Sequence, residues 1–201
     1  MISPSPAPAI DWGALVVQPA ISGTPARGVR RFAGQTIVCE LQDLAERTVR
    51  DHAATAPRLE VGGLLIGDVY TAGSGFHVDV SGALPARRAI SGMLHLRFGV
   101  AAWLDLTRER HLRKRERVVG WYHTHPGIGV FLSATDRNLH GAFFCGLPWY
   151  VALVFDPAGP AGPAGDELGV FAQDDGALGQ LAAVARADGP LAGQAGQERS
   201  T

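Results

Sequence analysis

The stretch Gly120–Pro126 has the sequence GWYHTHP, and Ser133 and Asp136 follow it after a short interval. Side chains alternate along a strand with a period of two, so His123 and His125 project from the same face and can bind one ion. A short loop and the first turn of a helix can bring the Asp136 carboxylate back to the same ion. Two histidines and one carboxylate leave one tetrahedral position of Zn²⁺ open, which is typical of a catalytic site.

Each part of this pattern also has an ordinary structural explanation. Ser133 and Asp136 have the spacing of a helix-capping box, in which the serine caps the helix and the acidic residue bonds back to it. A His-x-His pair alone is common on half-solvated strands. The combination of the His pair, the following Pro126, and the serine and aspartate at fixed distances favours a metal site, and a site serine can cap its helix as well.

The pattern H-x-H-P-x6-S-x2-D resembles the JAMM (MPN-plus) metalloprotease family, whose domain is also called JAB. That family has an upstream glutamate followed by small and aliphatic residues, and Glu60 with Val61–Gly67 (VGGLLIG) is similar to it. The resemblance spans about residues 35 to 173. The run Val119–Gly127 (VGWYHTHPG) is similar to the prokaryotic branch, which acts beside ubiquitin-like proteins.

The resemblance implies one zinc ion per chain, bound by His123, His125 and Asp136, and amide hydrolysis without a covalent intermediate. Zinc lowers the pKa of its water from about 15.7 toward about 7. Glu60 is the expected general base, which takes the proton and later gives it to the leaving amine. Ser133 is expected to hydrogen-bond the tetrahedral oxyanion.

The remaining histidines receive no ligand role. His140 lies one helical turn after Asp136 and can support the site, although packing is the favoured interpretation. His52 is predicted to pack within a helix, and His77, His95 and His111 lack a partner at ligand spacing. No second zinc is expected.

The resemblance implies cleavage after the C-terminal Gly-Gly of a ubiquitin-like protein, at an isopeptide bond to lysine or at a short extension. The activating and conjugating enzymes of that protein are further candidate partners. The tail can bind as an added strand, and the irregular segment Pro85–Phe98 is the candidate flap. Two alternatives stay open: a peptidase that processes a sulfur-carrier protein or its cysteine adduct, and a non-catalytic MPN scaffold.

Composition bounds the class of protein. With 201 residues, 46% apolar and 18% charged, the chain fits one soluble globular domain. The formal net charge of −1 predicts neither a nucleic-acid nor a membrane partner. Cys39 and Cys145 each lie in an apolar run, which indicates free thiols in a reducing cytoplasm. No apolar stretch approaches the ~18 residues of a membrane span.

The pattern of elements predicts an α/β fold, a JAB/MPN-like sandwich of a mixed central β-sheet flanked by helices. Residues 1–33 form a Pro/Ala/Gly-rich N-terminal segment, 34–187 the JAB/MPN metalloprotease domain, and 188–201 a disordered tail. Val119, Trp121, His123 and His125 are expected to share one face of their strand. The predicted strands are Gln35–Cys39, Val61–Tyr70, Phe76–Leu84, Val118–His125, Pro148–Phe155 and Leu168–Ala172. The predicted helices are Glu40–Ala54, Val100–His111, Asp136–Cys145 and Gly176–Ala187.

Overall fold

The computed structural model describes residues 16–17, 28–72, 74–91, 96–97, 99–112, 116–144, 146–159 and 167–184. The strands in this part of the chain are β1 (Val16–Val17), β2 (Val29–Ala33), β3 (Ile37–Gln42), β4 (Gly62–Ala72), β5 (Gly75–Pro85), β6 (Ile90–Ser91), β7 (Leu96–Arg97), β8 (Arg117–Thr124), β9 (Val151–Phe155), β10 (Leu168–Asp174), β11 (Ala177–Gln180) and β12 (Ala182–Val184). The helices are α1 (Asp43–Ala54), α2 (Val100–Leu112) and α3 (Ala134–Phe143).

One mixed sheet organises these elements. Its strand order is β11-β10-β9-β8-β4-β5-β3-β2-β12. Strand β1, which is not part of this order, also pairs with β4. The central strand β4 pairs antiparallel with β5 and β8, whereas β3–β5 and β8–β9 are parallel pairs. The predicted α/β class with a mixed sheet flanked by helices is confirmed.

Apolar layers cover both faces of the sheet. The first layer lies under α1, where Ala45, Val49 and Ala53 pack with residues of β3, β4 and β5. The second layer contains Ala102 and Leu106 of α2 together with side chains from β4, β5, β8 and β9. Strand β8 therefore lies between two apolar layers, and its residues from 118 to 124 are all buried.

A β-bulge interrupts β8 at Val119. Gly120 pairs with Leu65 and Val118 with Ile66, so Val119 has no partner residue in β4. An extra residue in a strand reverses the alternation of side chains beyond it. Val119 accordingly packs in the first apolar layer, whereas Trp121 packs in the second. The prediction that Val119 shares a face with Trp121 and the histidines is wrong for this residue.

The two ends of the sheet meet. Leu181 alone separates β11 from β12, yet β11 pairs with β10 at one end of the sheet and β12 pairs with β2 at the other. The sheet must therefore curl around the first apolar layer, where Leu181 and Phe32 are both buried. Because of this closure, the two terminal strands of the sheet lie close together and are not widely separated open edges.

The helix predicted over Gly176–Ala187 is wrong, because β11 and β12 occupy this region as far as residue 184. Asp175 and Gly176 have φ of 48° and 82°, the two positive values of a type I′ hairpin turn. The turn joins β10 to β11 and pairs Asp174 with Ala177. The alanines after Leu181 favour a helix by intrinsic propensity, but pairing with β2 outweighs that weak preference.

Two predicted boundaries also change. Strand β2 pairs with β3 along its whole length, so the sheet includes Val29–Ala33, which the sequence pattern assigns to the N-terminal segment. Residues 40 to 42 continue β3 instead of opening α1, since they are paired with β2. In the N-terminal segment, Val16 pairs with Tyr70 in β4, so this part of the segment docks on the domain. The tail 188–201 lies outside the described residues.

Two findings bear on the expected environment of the chain. None of the helices in the described ranges is long and apolar enough to cross a membrane. Cys39 is a buried free thiol, and burial raises its pKa well above the ordinary value. Cys145 lies outside the described residues. The cytoplasmic location stays a prediction.

A buried hydrogen bond links α1 to β8, where Tyr122 Oη lies 2.8 Å from His52 Nδ1. Burial, with a smaller effect of Arg87, lowers the pKa of His52 to about 4, so its ring is neutral at pH 7. We expect Tyr122→Phe to leave this nitrogen unpaired and to lower the free energy of unfolding by about 1 to 3 kcal/mol. Urea denaturation measures the loss.

The matched control is Tyr70→Phe, because the Tyr70 hydroxyl makes no hydrogen bond within the described part of the chain and its ring stacks on His77. That change should stay within about 0.5 kcal/mol of the parent. Equal effects of the two substitutions would contradict a stabilising His52–Tyr122 bond.

Candidate metal centre

The five predicted site residues lie on three elements that meet at one end of β8. His123 is in β8 and His125 follows its last residue, where its N–H donates to the Phe155 carbonyl at 2.9 Å. Ser133 is the N-cap of α3 and Asp136 is in its first turn. Glu60 lies two residues before β4, whose Gly62 is paired with His123.

Three ligand atoms converge on one point. The Nε2 atoms of His123 and His125 are 2.9 Å apart, and Asp136 Oδ2 lies 3.3 Å from the first and 3.6 Å from the second. Bonds of about 2.0 to 2.1 Å to a tetrahedral zinc ion separate two ligand atoms by about 3.3 Å. The two nitrogens and one carboxylate oxygen therefore fit Zn²⁺ in both distance and chemistry, and they form the one group of this kind among the described residues.

Asp136 serves the helix cap and the convergent site at once. Its Oδ2 accepts the Ser133 N–H at 2.8 Å, and Ser133 Oγ accepts the Asp136 N–H at 3.2 Å, which is a complete capping box. Burial alone raises the pKa of this carboxyl, but hydrogen bonds from His123 and His125 outweigh burial and hold the pKa well below its ordinary value. The carboxylate is thus ionised, as a metal ligand must be.

The two histidines are held in different ways. His125 Nδ1 lies 3.0 Å from the Gly129 carbonyl, which can only accept, so Nδ1 carries a proton and Nε2 is the nitrogen that faces Asp136 and His123. His123 is fully buried and stacks on the Trp121 ring at 4.7 Å. Its Nδ1 has no hydrogen-bond partner within the described ranges.

The pKa values of the two histidines are also shifted in opposite directions. Burial lowers the pKa of His123, and the contacts with Asp136 offset only part of this effect. Burial also acts to lower the pKa of His125, but hydrogen bonds to Asp136 and to the Gly129 carbonyl raise it above its ordinary value.

The backbone next to Glu60 is anchored to β8 through Val61. The Val61 N–H donates to Thr124 Oγ1 at 2.9 Å, and the Thr124 N–H donates to the Val61 carbonyl at 2.9 Å. Gly63 lies where a Cβ would come within 2.1 Å of the Leu84 carbonyl oxygen, so this approach of β4 requires glycine. The structure therefore explains why small residues follow Glu60.

Glu60 itself is only 4% exposed. Burial raises the pKa of its carboxyl to about 7; the charge of His125 acts against burial, and that of Asp136 adds to it. The carboxyl is close enough to His125 and Asp136 for their charges to act on it. The structure thus brings together all five residues that the sequence singled out.

Other residues support the site: Thr124 and Asp156 were missed from the sequence, whereas His140 was named as a support with packing as the favoured interpretation. His140 Nδ1 accepts the Trp121 indole N–H at 3.1 Å, so this histidine orients the ring that stacks on His123. Thr124, between the two histidines, anchors Val61. Asp156, directly after β9, binds the loop that follows His125. An acidic residue before a proline at a strand end predicts a turn, but nothing in the sequence names the loop that it binds.

The remaining histidines of the described chain lie elsewhere. His52 is bonded to Tyr122, as a packed histidine would be, and His77 lies 3.2 Å from a Glu40 oxygen on the other half of the sheet. The side chains of His95 and His111 lie outside the described residues.

Comparisons with known proteins agree with this geometry. Residues 43–159 match the family model described as prokaryotic homologues of the JAB domain, a range that includes all five site residues. COP9 signalosome complex subunit 5 of Gibberella zeae is 32% identical over 123 residues, which cover 60% of this chain and 35% of that protein. The 26S proteasome regulatory subunit rpn11 of Schizosaccharomyces pombe is 29% identical over 147 residues, covering 71% and 46%.

A third relative bears a name of another kind. The NAD(+) hydrolase TcpA of a Theionarchaea archaeon is 31% identical over 120 residues, covering 57% of this chain and 32% of that protein. The matches thus span from 32% to 46% of the length of these three relatives. The region that matches the family model holds the convergent histidines, the aspartate and the buried glutamate. On this evidence the chain belongs to the JAB (MPN) domain family, among the JAMM/MPN-plus proteins.

Proposed function

We propose that this protein is a zinc-dependent isopeptidase or peptidase that cleaves after the C-terminal Gly-Gly of a ubiquitin-like protein. The observation that carries the proposal is the convergence of His123 Nε2, His125 Nε2 and Asp136 Oδ2 beside the buried carboxyl of Glu60. A scaffold without activity has no need of three ligand atoms at zinc spacing. Membership of the JAB family supports the same reaction class.

His123, His125 and Asp136 would bind one zinc ion per chain. In such a site Zn²⁺ supplies Lewis-acid activation of a water molecule and polarises the scissile carbonyl. Asp136 would contribute the negative charge, and the hydrogen bond from His125 Nδ1 to the Gly129 carbonyl leaves Nε2 as the nitrogen that would bind the ion.

Glu60 acts as the general base in this proposal. It takes a proton from the attacking water and later gives it to the leaving amine. A base works best when its pKa lies near the working pH, and burial brings the pKa of Glu60 to about 7. Ser133 uses its oxygen to accept the Asp136 N–H, which leaves its O–H proton available to the oxyanion of the substrate.

The substrate class rests on relatives whose names place them in the COP9 signalosome and the 26S proteasome. An extended tail can add as a strand to the free edge of a short hairpin. Strands β6 and β7 form such a hairpin, separate from the main sheet, within the segment Pro85–Phe98. We propose this hairpin as the flap over the substrate. The activating and conjugating enzymes of the ubiquitin-like protein are proposed as further partners.

Zinc binding is the first test. We expect the purified protein to contain one zinc per chain and Asp136→Ala to contain little, because the substitution removes the anionic ligand. Elemental analysis measures the content. Ser133→Ala is the matched control, since it breaks the other half of the capping box without removing a ligand. Full zinc occupancy in Asp136→Ala would contradict the ligand set.

The second prediction separates chemistry from binding. Glu60→Gln should lower the hydrolysis rate by about 10² to 10⁴-fold, the usual contribution of a general base, while zinc content stays at the wild-type level. The two readouts are cleavage of a ubiquitin-like fusion and elemental zinc on the same sample. A variant that cleaves at the wild-type rate would show that Glu60 is not the base.

The third prediction concerns the substrate tail. Glycine lacks a Cβ, so a Gly-Gly tail can thread where a side chain would clash. Replacing the final glycine of the ubiquitin-like protein by leucine should abolish most cleavage. Treating the enzyme with a metal chelator should inhibit cleavage of the parent substrate, whereas alkylating its thiols should not. Equal cleavage of the leucine variant, or of an unfolded generic protein, would show that the enzyme does not select Gly-Gly.

A further inference from the structure

Asp156 is a buried carboxylate that binds backbone N–H groups instead of a cation. It lies directly after β9 and is only 3% exposed. Its Oδ1 accepts the Gly127 N–H at 2.8 Å and the Ala158 N–H at 2.9 Å, and its Oδ2 accepts the Gly129 N–H at 2.8 Å. Hydrogen bonds to a charged acceptor are roughly twice as strong as those between neutral groups. The carboxylate therefore fixes two points of the loop that follows His125.

The loop that Asp156 binds turns at two glycines. Gly127 and Gly129 have φ of 77° and 90°, in the left-handed region that favours glycine. Two of the N–H groups that Asp156 accepts belong to these two glycines. The third belongs to Ala158, in the turn that follows Asp156 itself. The start of the loop is anchored to the same strand end, where the His125 N–H donates to the Phe155 carbonyl.

Gly129 connects this loop to a proposed zinc ligand. Its N–H is bound by Asp156, and its carbonyl accepts the His125 Nδ1–H at 3.0 Å. An imidazole that binds zinc through Nε2 keeps its one remaining proton on Nδ1, and the Gly129 carbonyl is placed to accept that proton. His123 has no matching restraint, since its Nδ1 is without a hydrogen-bond partner in the described part of the chain.

We infer that Asp156 is a positioning residue for zinc binding. By holding Gly129, it sets the tautomer and the orientation of His125 without touching the metal itself. The inference rests on the proposed zinc site, and it adds a residue that the family pattern of histidines, serine, aspartate and glutamate does not include.

Asp156→Asn tests this directly. The amide has the same size, but its NH₂ group faces one of the N–H groups that the carboxylate accepted, so the loop loses a bond. We expect the Kd for zinc to rise about 10- to 100-fold, as for other partners behind metal-ligating histidines. In the zinc-free protein, the share of His125 with its proton on Nδ1 should fall, as measured by long-range ¹H–¹⁵N NMR.

Asp174→Asn is the matched control. Asp174 also accepts backbone N–H groups of a turn, from Gln35 and Thr36, each at 2.7 Å, but that turn lies between β2 and β3. A purely structural role for Asp156 predicts that both variants lose stability and that neither changes the Kd for zinc or the tautomer of His125. That result would overturn the inference.

A second pair covers the case in which Asp156→Asn does not fold. Gly129→Ala and Gly176→Ala place a Cβ at φ of 90° and 82°, and neither Cβ meets an atom within 4 Å. The backbone strain is therefore similar, but only Gly129 carries the carbonyl that binds His125. Gly129→Ala should weaken zinc binding and shift the tautomer, whereas Gly176→Ala should do neither.

The two proposals fail in different ways. A wild-type protein that binds no zinc contradicts the proposed function, and the NMR tautomer of His125 then decides the role of Asp156 alone. A wild-type protein that binds zinc, with unchanged affinity and tautomer in Asp156→Asn and Gly129→Ala, contradicts only the role of Asp156.

Discussion

The Oδ2 atom of Asp136 links the start of α3 to the end of β8. It accepts the Ser133 N–H and lies within 3.6 Å of the Nε2 atoms of both histidines. A helix start needs acceptors for its first N–H groups, and a metal site needs an anionic ligand. Because one oxygen serves both needs, α3 cannot begin elsewhere without removing the carboxylate from the histidines. The capping box and the candidate metal centre are one geometry here.

Strand register brings the glutamate to the same point. His123 is paired with Gly62, and the reciprocal bonds between Val61 and Thr124 extend this pairing toward Glu60, across 63 residues of chain. The position at the strand end is also buried, which raises the pKa of the carboxyl to about 7. A glutamate on an open strand edge would stay solvated and would lack this shift. The fold thus supplies both the location and the altered acidity of the residue.

Most elements near the site were predictable because their patterns are local. The β4–β5 hairpin, β8, α3 and β9 all lie close to their predicted positions, since strand alternation and helix capping depend on nearby residues. The errors lie where a distant strand decides the outcome. Val119 changes face because β4 pairs around a bulge, and the C-terminal alanines extend because β2 offers an edge.

The sequence by itself determined the types and spacing of the candidate ligands and the family, because a His-x-His pair at a strand end and an aspartate in a helix cap are set by local rules. Only the tertiary structure decided that Glu60 lies near His125 and Asp136 and that Asp156 holds the loop after His125. Both depend on backbone N–H and carbonyl groups that find their partners on strands far apart in the chain. A sequence pattern specifies which groups are available, whereas the register of the folded sheet specifies which of them meet.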